Sequence, residues 1–292
     1  MGAFSILNNI GALYAQNQLS ISNAYLTKSI NRISSGKRIN SGADDAAGLM
    51  IADSLRANVY ALDQGVRNAN DCISVGQIAD SALQEITNNL TRAVSLASEA
   101  ATGTVDDTGR GALDAEFSQL QAEIARIAVQ TNFNGVGIFT TTGINGSLSA
   151  FIGDIYSPSS IAVTITPITT NGDKVTNLGT LNGQPVDLEN VSLATQDGAA
   201  AALSVIRDAL VVVAGERAAI GAGSNRLQSA VAVMQSQSLN SQSAESTIRD
   251  ANMATEISNL TKYQILNQTG IAALSQANTQ GQTILTLLRG LG

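Results

Sequence analysis

LRANVYALDQGVRNANDCISVGQIADSALQEITNNLTRAV, residues 55–94, decides the architecture. Leu55, Val59, Leu62, Val66, Ala69 and Ile73 recur at alternating steps of four and three, and the run continues through Leu83, Leu90 and Val94. That spacing keeps one apolar stripe on one side of a helix, as in a coiled-coil seam. A stripe of this length predicts a rod several nanometres long at about 1.5 Å per residue. The same alternation returns at Leu203, Ile206, Leu210, Val213, Ile220, Leu227, Val231 and Met234, and in shorter form at Leu113, Phe117, Leu120, Ile124 and Ile127. Between them TGTVDDTGRG, residues 102–111, reads as a turn joining antiparallel helices.

The middle of the chain changes character. Pro158, Pro167 and Pro185 all fall there, beside a period-two stretch at Ile161, Val163 and Ile165 and turn signals at Asn171-Gly172 and Asn182-Gly183. The predicted fold is mainly α: an antiparallel bundle of long coiled-coil helices formed by the N- and C-terminal halves, with a small β-rich central insertion. The expected segments are an N-terminal helix over 1–43, long and shorter helices over 44–138, and the insertion over 139–195 at the far tip of a helical hairpin. A second long helix over 196–252 and a C-terminal helix over 253–292 complete the chain.

Composition narrows the function. The 292 residues include no His and no Trp, and aromatics make up 3%. Without His there is no Ser-His or Cys-His nucleophile pair and no imidazole metal ligand, so no enzyme, metal site or cofactor is expected. One cysteine, Cys72, excludes an intrachain disulfide framework and reads as a small packed residue. A net charge of −7 argues against nucleic acid as a partner, and Lys28, Arg32, Lys37 and Arg38 read as a solvated face. No stretch is expected to reach the roughly 18 apolar residues of a membrane span. The N-terminus lacks the basic start and apolar core of a secretory signal.

The two ends look like an assembly device. Residues 1–33 carry only Lys28 and Arg32 as charges, and residues 257–292 only Lys262 and Arg289. The candidate self-assembly seam is Leu19, Leu26, Ile30 and Ile33 at one end, with Asn23 between them. At the other end it is Ile257, Leu260, Ile271, Leu274, Leu285 and Leu288, with Gln264, Asn267, Asn278 and Gly281 at intervening positions. Such diluted helices lack the packed face that gives a helix most of its stability, and segments of this kind order on binding. Asp44 and Asp45, after Ser41-Gly42-Ala43, read as a pair that caps the next helix rather than as metal ligands. Gly135, after Asn134, reads as the permissive residue that ends the third helix.

Long strings now resemble bacterial flagellin: SSGKRINSGADDAAGLMIADSLRA at 34–57, GVRNANDCISVGQIADSALQEI at 65–86, QTNFNG at 130–135, SNRLQSA at 224–230, and AESTIRDANMATEISNLTKYQILNQTGIAALSQANTQGQTILTLL at 244–288. The resemblance covers about 1–139 and 200–292, in the family's order. It implies a structural subunit that polymerises into the extracellular flagellar filament for swimming, with 1–43 and 253–292 forming the inner core and 44–138 and 196–252 the outer core. It also implies type III export without a cleaved signal, an export chaperone bound to about 250–292, and partnership with cap and hook-junction proteins. A hook–filament junction protein shares the design and is the alternative. The family commonly carries Gly where this chain has Cys72. Toll-like receptor 5 recognises many flagellins through a string like QRVRELAVQ. Here TRAVSLASE, residues 91–99, matches at Arg92 and Leu96, and Glu116 matches a glutamate of the following helix. Val94 and Ser95 replace the family's charged pair, so weaker recognition is expected. The short insertion predicts a thin, smooth filament, and its Ser and Thr residues a bare polar surface open to O-glycosylation.

Overall fold

The heptad runs become helices in the computed structural model, which describes residues 9–140, 144, 147–171, 174–181 and 184–289, with side chains except at 171, 174, 281 and 284–289. The described helices are α1 (Ile10–Ser35), α2 (Ala46–Ala100), α3 (Asp107–Gln130), α4 (Gln196–Arg249) and α5 (Met253–Arg289). Residues 1–57 and 240–292 form one compact unit, and residues 58–239 form the other. The division therefore falls within α2 and α4, whereas the helix breaks lie at 36–45 and 250–252.

In the first unit, Asn9 caps α1 by accepting the Ala12 amide at 3.0 Å, and α1 ends at Gly36, whose φ of 70° suits a residue without a Cβ. Asp45 starts α2 by accepting the Gly48 amide at 2.9 Å. Asp44 closes the preceding loop instead, accepting the Asn40 and Ser41 amides and pairing with Lys28 at 2.6 Å. Asn252 opens α5 through the Thr255 amide at 3.2 Å.

In the second unit, α2, α3 and α4 share a core. Leu62, Ala69, Cys72, Ala79, Leu83, Ile86, Leu90, Ala93 and Ala97 of α2 are buried. They meet Phe117, Ile124 and Ala128 of α3 and Ala202, Ile206, Ala209, Val213, Ile220, Leu227 and Met234 of α4. The α2–α4 pairing is antiparallel: Asp63 accepts Ser238 Oγ at 3.0 Å, and Asp80 pairs with Arg217 at 2.7 Å. The turn after α2 is shorter than the sequence suggests. Asp106 accepts the Gly109 amide at 2.8 Å, so Asp107–Gly111 is already the first turn of α3. Arg110, from that turn, is buried and bonds the Ala100 carbonyl at 3.0 Å, capping the end of α2.

Asn134 and Gly135 take φ values of 51° and 78° between β1 (Asn132–Phe133) and β2 (Val136–Gly137), the backbone of a two-residue hairpin turn. The end of α3 itself falls to Thr131, whose N–H and hydroxyl both bond the Ile127 carbonyl. The remaining ribbons are β3 (Ser147–Phe151) with β4 (Ser160–Thr164), β5 (Thr169–Asn171) with β6 (Lys174–Asn177), and β7 (Thr180–Leu181) with β8 (Gln184–Pro185). All are antiparallel, and among the described residues they do not join into one sheet. Gly172, Asn182 and Gly183, three of the predicted turn residues, lie outside the described residues.

The insertion does not sit at the tip of the bundle; it lies along it. Isolated two-stranded ribbons are marginal in water, so these bury Val163, Ile165, Val175, Leu178, Val186 and Leu188 against the helices. Gln121 donates to the Leu188 carbonyl at 2.6 Å, Asn68 to the Phe151 carbonyl at 3.1 Å, and Asp114 accepts the Leu193 amide at 2.6 Å. One expectation from composition is also revised. Within α4 a window of 18 residues reaches a mean hydropathy of 1.7, enough by length and composition for a membrane span. Here α4 supplies one wall of the core.

A candidate assembly surface on the terminal hairpin

α1 and α5 pair as an antiparallel hairpin in the first unit. Asn9 donates to the Ala277 carbonyl at 2.9 Å, Leu19 lies over Gly270, and the Asn23 and Asn267 amides are hydrogen-bonded. Further along, Tyr25 and Tyr263 stack with centroids 5.2 Å apart, and Arg32 pairs with Glu256 at 3.0 Å. At the base the chain crosses between the helix breaks. The Arg38 amide donates to the Arg249 carbonyl at 2.6 Å and the Ala251 amide to the Gly36 carbonyl at 2.9 Å. Arg38 also bonds the Ile248 carbonyl at 2.7 Å, and Arg249 pairs with Asp53 at 2.9 Å. The clamp is only partly satisfied: Arg32 Nε, Arg249 Nε and Glu256 Oε2 are buried without a hydrogen-bond partner. At Asp44, the hydrogen bond from Lys28 is the main reason that its carboxyl is held below the ordinary value of 3.8.

The seam inside this hairpin alternates small residues with larger ones. Ala12, Ala15, Leu19, Ser22, Leu26, Ser29 and Ile33 of α1 are half-buried or buried, an unbroken alternation of steps of three and four. Glu256, Leu260, Tyr263, Asn267, Gly270, Leu274 and Ala277 do the same on α5. Of the residues expected in the seam, Leu19, Leu26, Ile33, Leu260 and Leu274 are half-buried there. Ile30, Ile257 and Ile271 are 48%, 53% and 54% exposed, and the adjacent Ser29, Glu256 and Gly270 take the inward positions. At Glu256 the physical reason is the Arg32 pair, and at Gly270 it is close approach. A Cβ on Gly270 would come within 3.2 Å of Leu19 Cδ1, so this level admits no larger side chain without adjustment. The side chains of Leu285 and Leu288 lie outside the described residues.

The seam leaves large apolar side chains outside: Ile10, Leu13, Tyr14, Ile21 and Tyr25 on α1, with Met253, Ile265 and Leu266 beside Ile257 and Ile271 on α5. A run of big apolar side chains on an otherwise weakly charged hairpin marks an interaction surface. The sequence reading missed the aromatic and N-terminal members of this set. Their signal was the unbroken Ala/Ser/Leu heptad itself, which accounts for the inward face and leaves these residues without a place in it.

The three receptor candidates separate. Arg92 Nε and Nη2 bond Glu116 Oε1 at 2.9 and 2.7 Å across α2 and α3, both side chains being about half exposed. Leu96 is 1% exposed and belongs to the buried face that includes Ala93, Ala97 and Ala100, so it offers no contact surface in this fold. Cys72 is also buried, and burial pushes its thiol above the ordinary value, away from reactivity. Among the described residues no three Cys, Asp or Glu side chains group to hold a metal ion.

Comparison with known proteins agrees with this geometry. The model of the bacterial flagellin N-terminal helical region matches residues 6–143, and that of the flagellin C-terminal helical region matches residues 203–288. Flagellin FlaB1 of Treponema pallidum is 37% identical over 292 residues, covering 97% of this chain and 99% of the relative. The flagellar filament 30.7 kDa core protein of Treponema maltophilum is 35% identical over 287 residues, with the same coverage of 97% and 99%. A solved structure described as a flagellar hook-associated protein, from Vibrio parahaemolyticus, aligns at a TM-score of 0.57 and 15% identity over 71% of this chain and 100% of that one, a likeness of fold alone. With both terminal regions matched and relatives aligned nearly end to end, the chain belongs to the bacterial flagellin family.

Proposed function

We propose that this flagellin assembles by packing the exposed apolar residues of its α1–α5 hairpin against neighbouring copies. Flagellins are structural proteins rather than enzymes, and the chain is a subunit of the extracellular flagellar filament. The observation that carries the proposal is the set of large apolar side chains that the hairpin leaves exposed, while Ala12, Ala15, Ser22, Ser29, Gly270 and Ala277 occupy inward positions. At about 100° per residue, Tyr14, Ile21 and Tyr25 fall on one flank of the α1 seam and Ile30 on the other. Ile257 and Ile271 fall on one flank of the α5 seam and Leu266 on the other. Because the helices are antiparallel, Ile30, Ile257 and Ile271 share one face of the hairpin, and Tyr14, Ile21, Tyr25 and Leu266 share the opposite face. A two-helix layer that is apolar on both faces suits a wall in which each hairpin lies between two others.

The same proposal includes ordering on assembly, since Leu19, Leu26, Ile33, Leu260 and Leu274 are only half-buried in the seam and the positions between them include Ala, Ser and Gly, so the hairpin buries limited apolar area of its own. Circular dichroism tests it. Helicity should rise from monomer to polymer, and the increment should vanish when 1–33 or 257–292 is deleted. Equal helicity in both states would overturn the ordering claim. Export without a cleaved signal fits a chain whose ends fold late. An export chaperone is proposed to hold about 250–292 by Ile257, Ile265, Leu266 and Ile271, the residues that later face neighbouring subunits. Cap and hook-junction proteins would meet the same hairpin at the filament's two ends. For Toll-like receptor 5, the mutual pairing of Arg92 and Glu116, together with the burial of Leu96, supports weak recognition. A cell reporter responding as strongly to this protein as to a flagellin with the charged pair would refute that.

A further inference from the structure

We propose that Met50 and Met253 are a redox modification site, at which a peroxide turns the thioethers into sulfoxides and so withholds the subunit from the filament. The inference rests on the assembly surface proposed above. Met50 is 69% exposed and Met253 41%, both in the unit that carries the terminal hairpin. Met253 opens α5 and precedes Ile271 by 18 residues, about five helical turns, so it lies on the same side of α5 as that subunit-facing residue. Met50 stands beside Ile51, with Ala46, Ala47 and Ala57 at the other exposed positions of α2 in this unit. Neither sulfur needs a formed hairpin in order to be reached, since a chain that orders only on assembly opens both of them further. Met234 is the internal contrast. It is 4% exposed in the core of the other unit, packed so closely that a Cβ on Gly65 would come within 2.9 Å of its Sδ. Met1 lies outside the described residues.

At each site a sulfur lone pair attacks one oxygen of hydrogen peroxide. The O–O bond breaks, an S–O bond forms, and after proton transfer the second oxygen leaves as water. The sulfur loses two electrons, the peroxide gains them, and the protein gains one oxygen. The product presents a polar sulfoxide where an apolar thioether stood. Packing that group against the apolar side chains of a neighbouring copy, with no hydrogen-bond donor to meet it, opposes assembly. A methionine sulfoxide reductase drawing on a dithiol reverses the step: the oxygen leaves as water and the dithiol becomes a disulfide.

The test treats the full-length monomer, below its critical concentration, with hydrogen peroxide and then removes the peroxide with catalase. Trypsin puts the four methionines on separate peptides, 1–28, 39–56, 227–249 and 250–262, so each sulfoxide is read by mass on its own. Met50 and Met253 should oxidise on the order of tenfold faster than Met234, and both should be shielded in filaments. Seeded growth of the oxidised protein should show a critical concentration raised about tenfold or more, with the monomer's thermal melt unmoved. Sulfoxide reductases with dithiothreitol should bring the value back. The double variant Met50→Leu, Met253→Leu, compared with itself before and after peroxide, should show no rise. If filaments shield the two sulfurs but the oxidised monomer assembles at an unchanged critical concentration, the modification site is overturned and the assembly surface stands. A rise of equal size in the double variant, or one matched by lost monomer stability, also overturns it. Sulfurs that oxidise as fast in filaments as in the monomer overturn the surface at these positions, and the modification site with it.

Discussion

Replacing Ile21, Ile257 and Ile271 together by Ser should leave the monomer intact and cripple the polymer. These side chains are 41%, 53% and 54% exposed in the subunit, so roughly half of each remains to be buried by a neighbour. Fully burying an isoleucine stabilises by about 1.5–3 kcal/mol, which makes the outstanding half worth about 1 kcal/mol per position. Each added subunit buries its set once, so the triple variant loses roughly 3 kcal/mol per subunit added. At a factor of ten per about 1.4 kcal/mol, the critical concentration should rise on the order of a hundredfold. Ser and Ile have similar helix propensity, and exposed substitutions usually stay within about 0.5 kcal/mol of the parent, so the thermal melt of the monomer should barely move. Seeded growth followed by sedimentation reads the critical concentration, and circular dichroism below it reads the melt. An unchanged critical concentration would refute the assembly surface. So would a fall in monomer stability large enough to account for the loss.

Other expectations test the packing beneath that surface. Gly223 lies against β4, where a Cβ would come within 2.8 Å of Val163 Cγ2, whereas nothing lies within 4 Å of one at Gly221. Gly223→Ala should therefore destabilise by about 1–3 kcal/mol through overpacking against a stiff β-branched side chain, and Gly221→Ala should stabilise by about 0.5–1 kcal/mol through helix propensity; urea titration of each separates them. Arg32→Met leaves Glu256 buried and unpaired, and should lower stability by roughly 2 kcal/mol, part of which returns in the Arg32→Met, Glu256→Met double variant. Asp44 has a folded-state pKa below its ordinary 3.8, so its pairing with Lys28 stabilises fully above that value and is lost as pH falls through the depressed one. Lys28→Met should thus melt earlier than the parent at pH 7, and the two melting curves should converge in acid below that range.

The long helices were legible because their signal is local and repeated. A 3-4 alternation sustained from Leu55 to Val94 has no other stable partner than a second stripe, and the run from Leu203 to Met234 supplies it. The absence of His likewise settled the exclusion of imidazole chemistry without any coordinates. The start of α2 was legible in part: Asp45 caps that helix, whereas Asp44 closes the loop before it and α1 ends earlier, at Gly36, than the expected residue 43.

The inward face of the hairpin was not legible, because two alternations overlap. Leu19, Leu26 and Ile33 belong equally to a seam through Asn23 and Ile30 and to one through Ser22 and Ser29. Leu260, Asn267 and Leu274 belong equally to a seam through Ile257 and Ile271 and to one through Glu256, Tyr263 and Gly270. Hydrophobicity favours Ile30, Ile257 and Ile271; the close approach of the two backbones favours Gly270, and the Arg32 pair holds Glu256 inward. The distance between α1 and α5, set by Leu19 over Gly270 and by the paired charges at the base, belongs to neither helix alone. The ribbons show the same limit. Alternation marked Val163 and Ile165 as strand residues, but whether the insertion caps the bundle or lies along it depends on Gln121, Asn68 and Asp114, far away in sequence. Composition and periodicity thus determined the helices and the absence of imidazole chemistry, while the tertiary fold chose which face of each terminal helix turns inward, and so which residues remain for the next subunit.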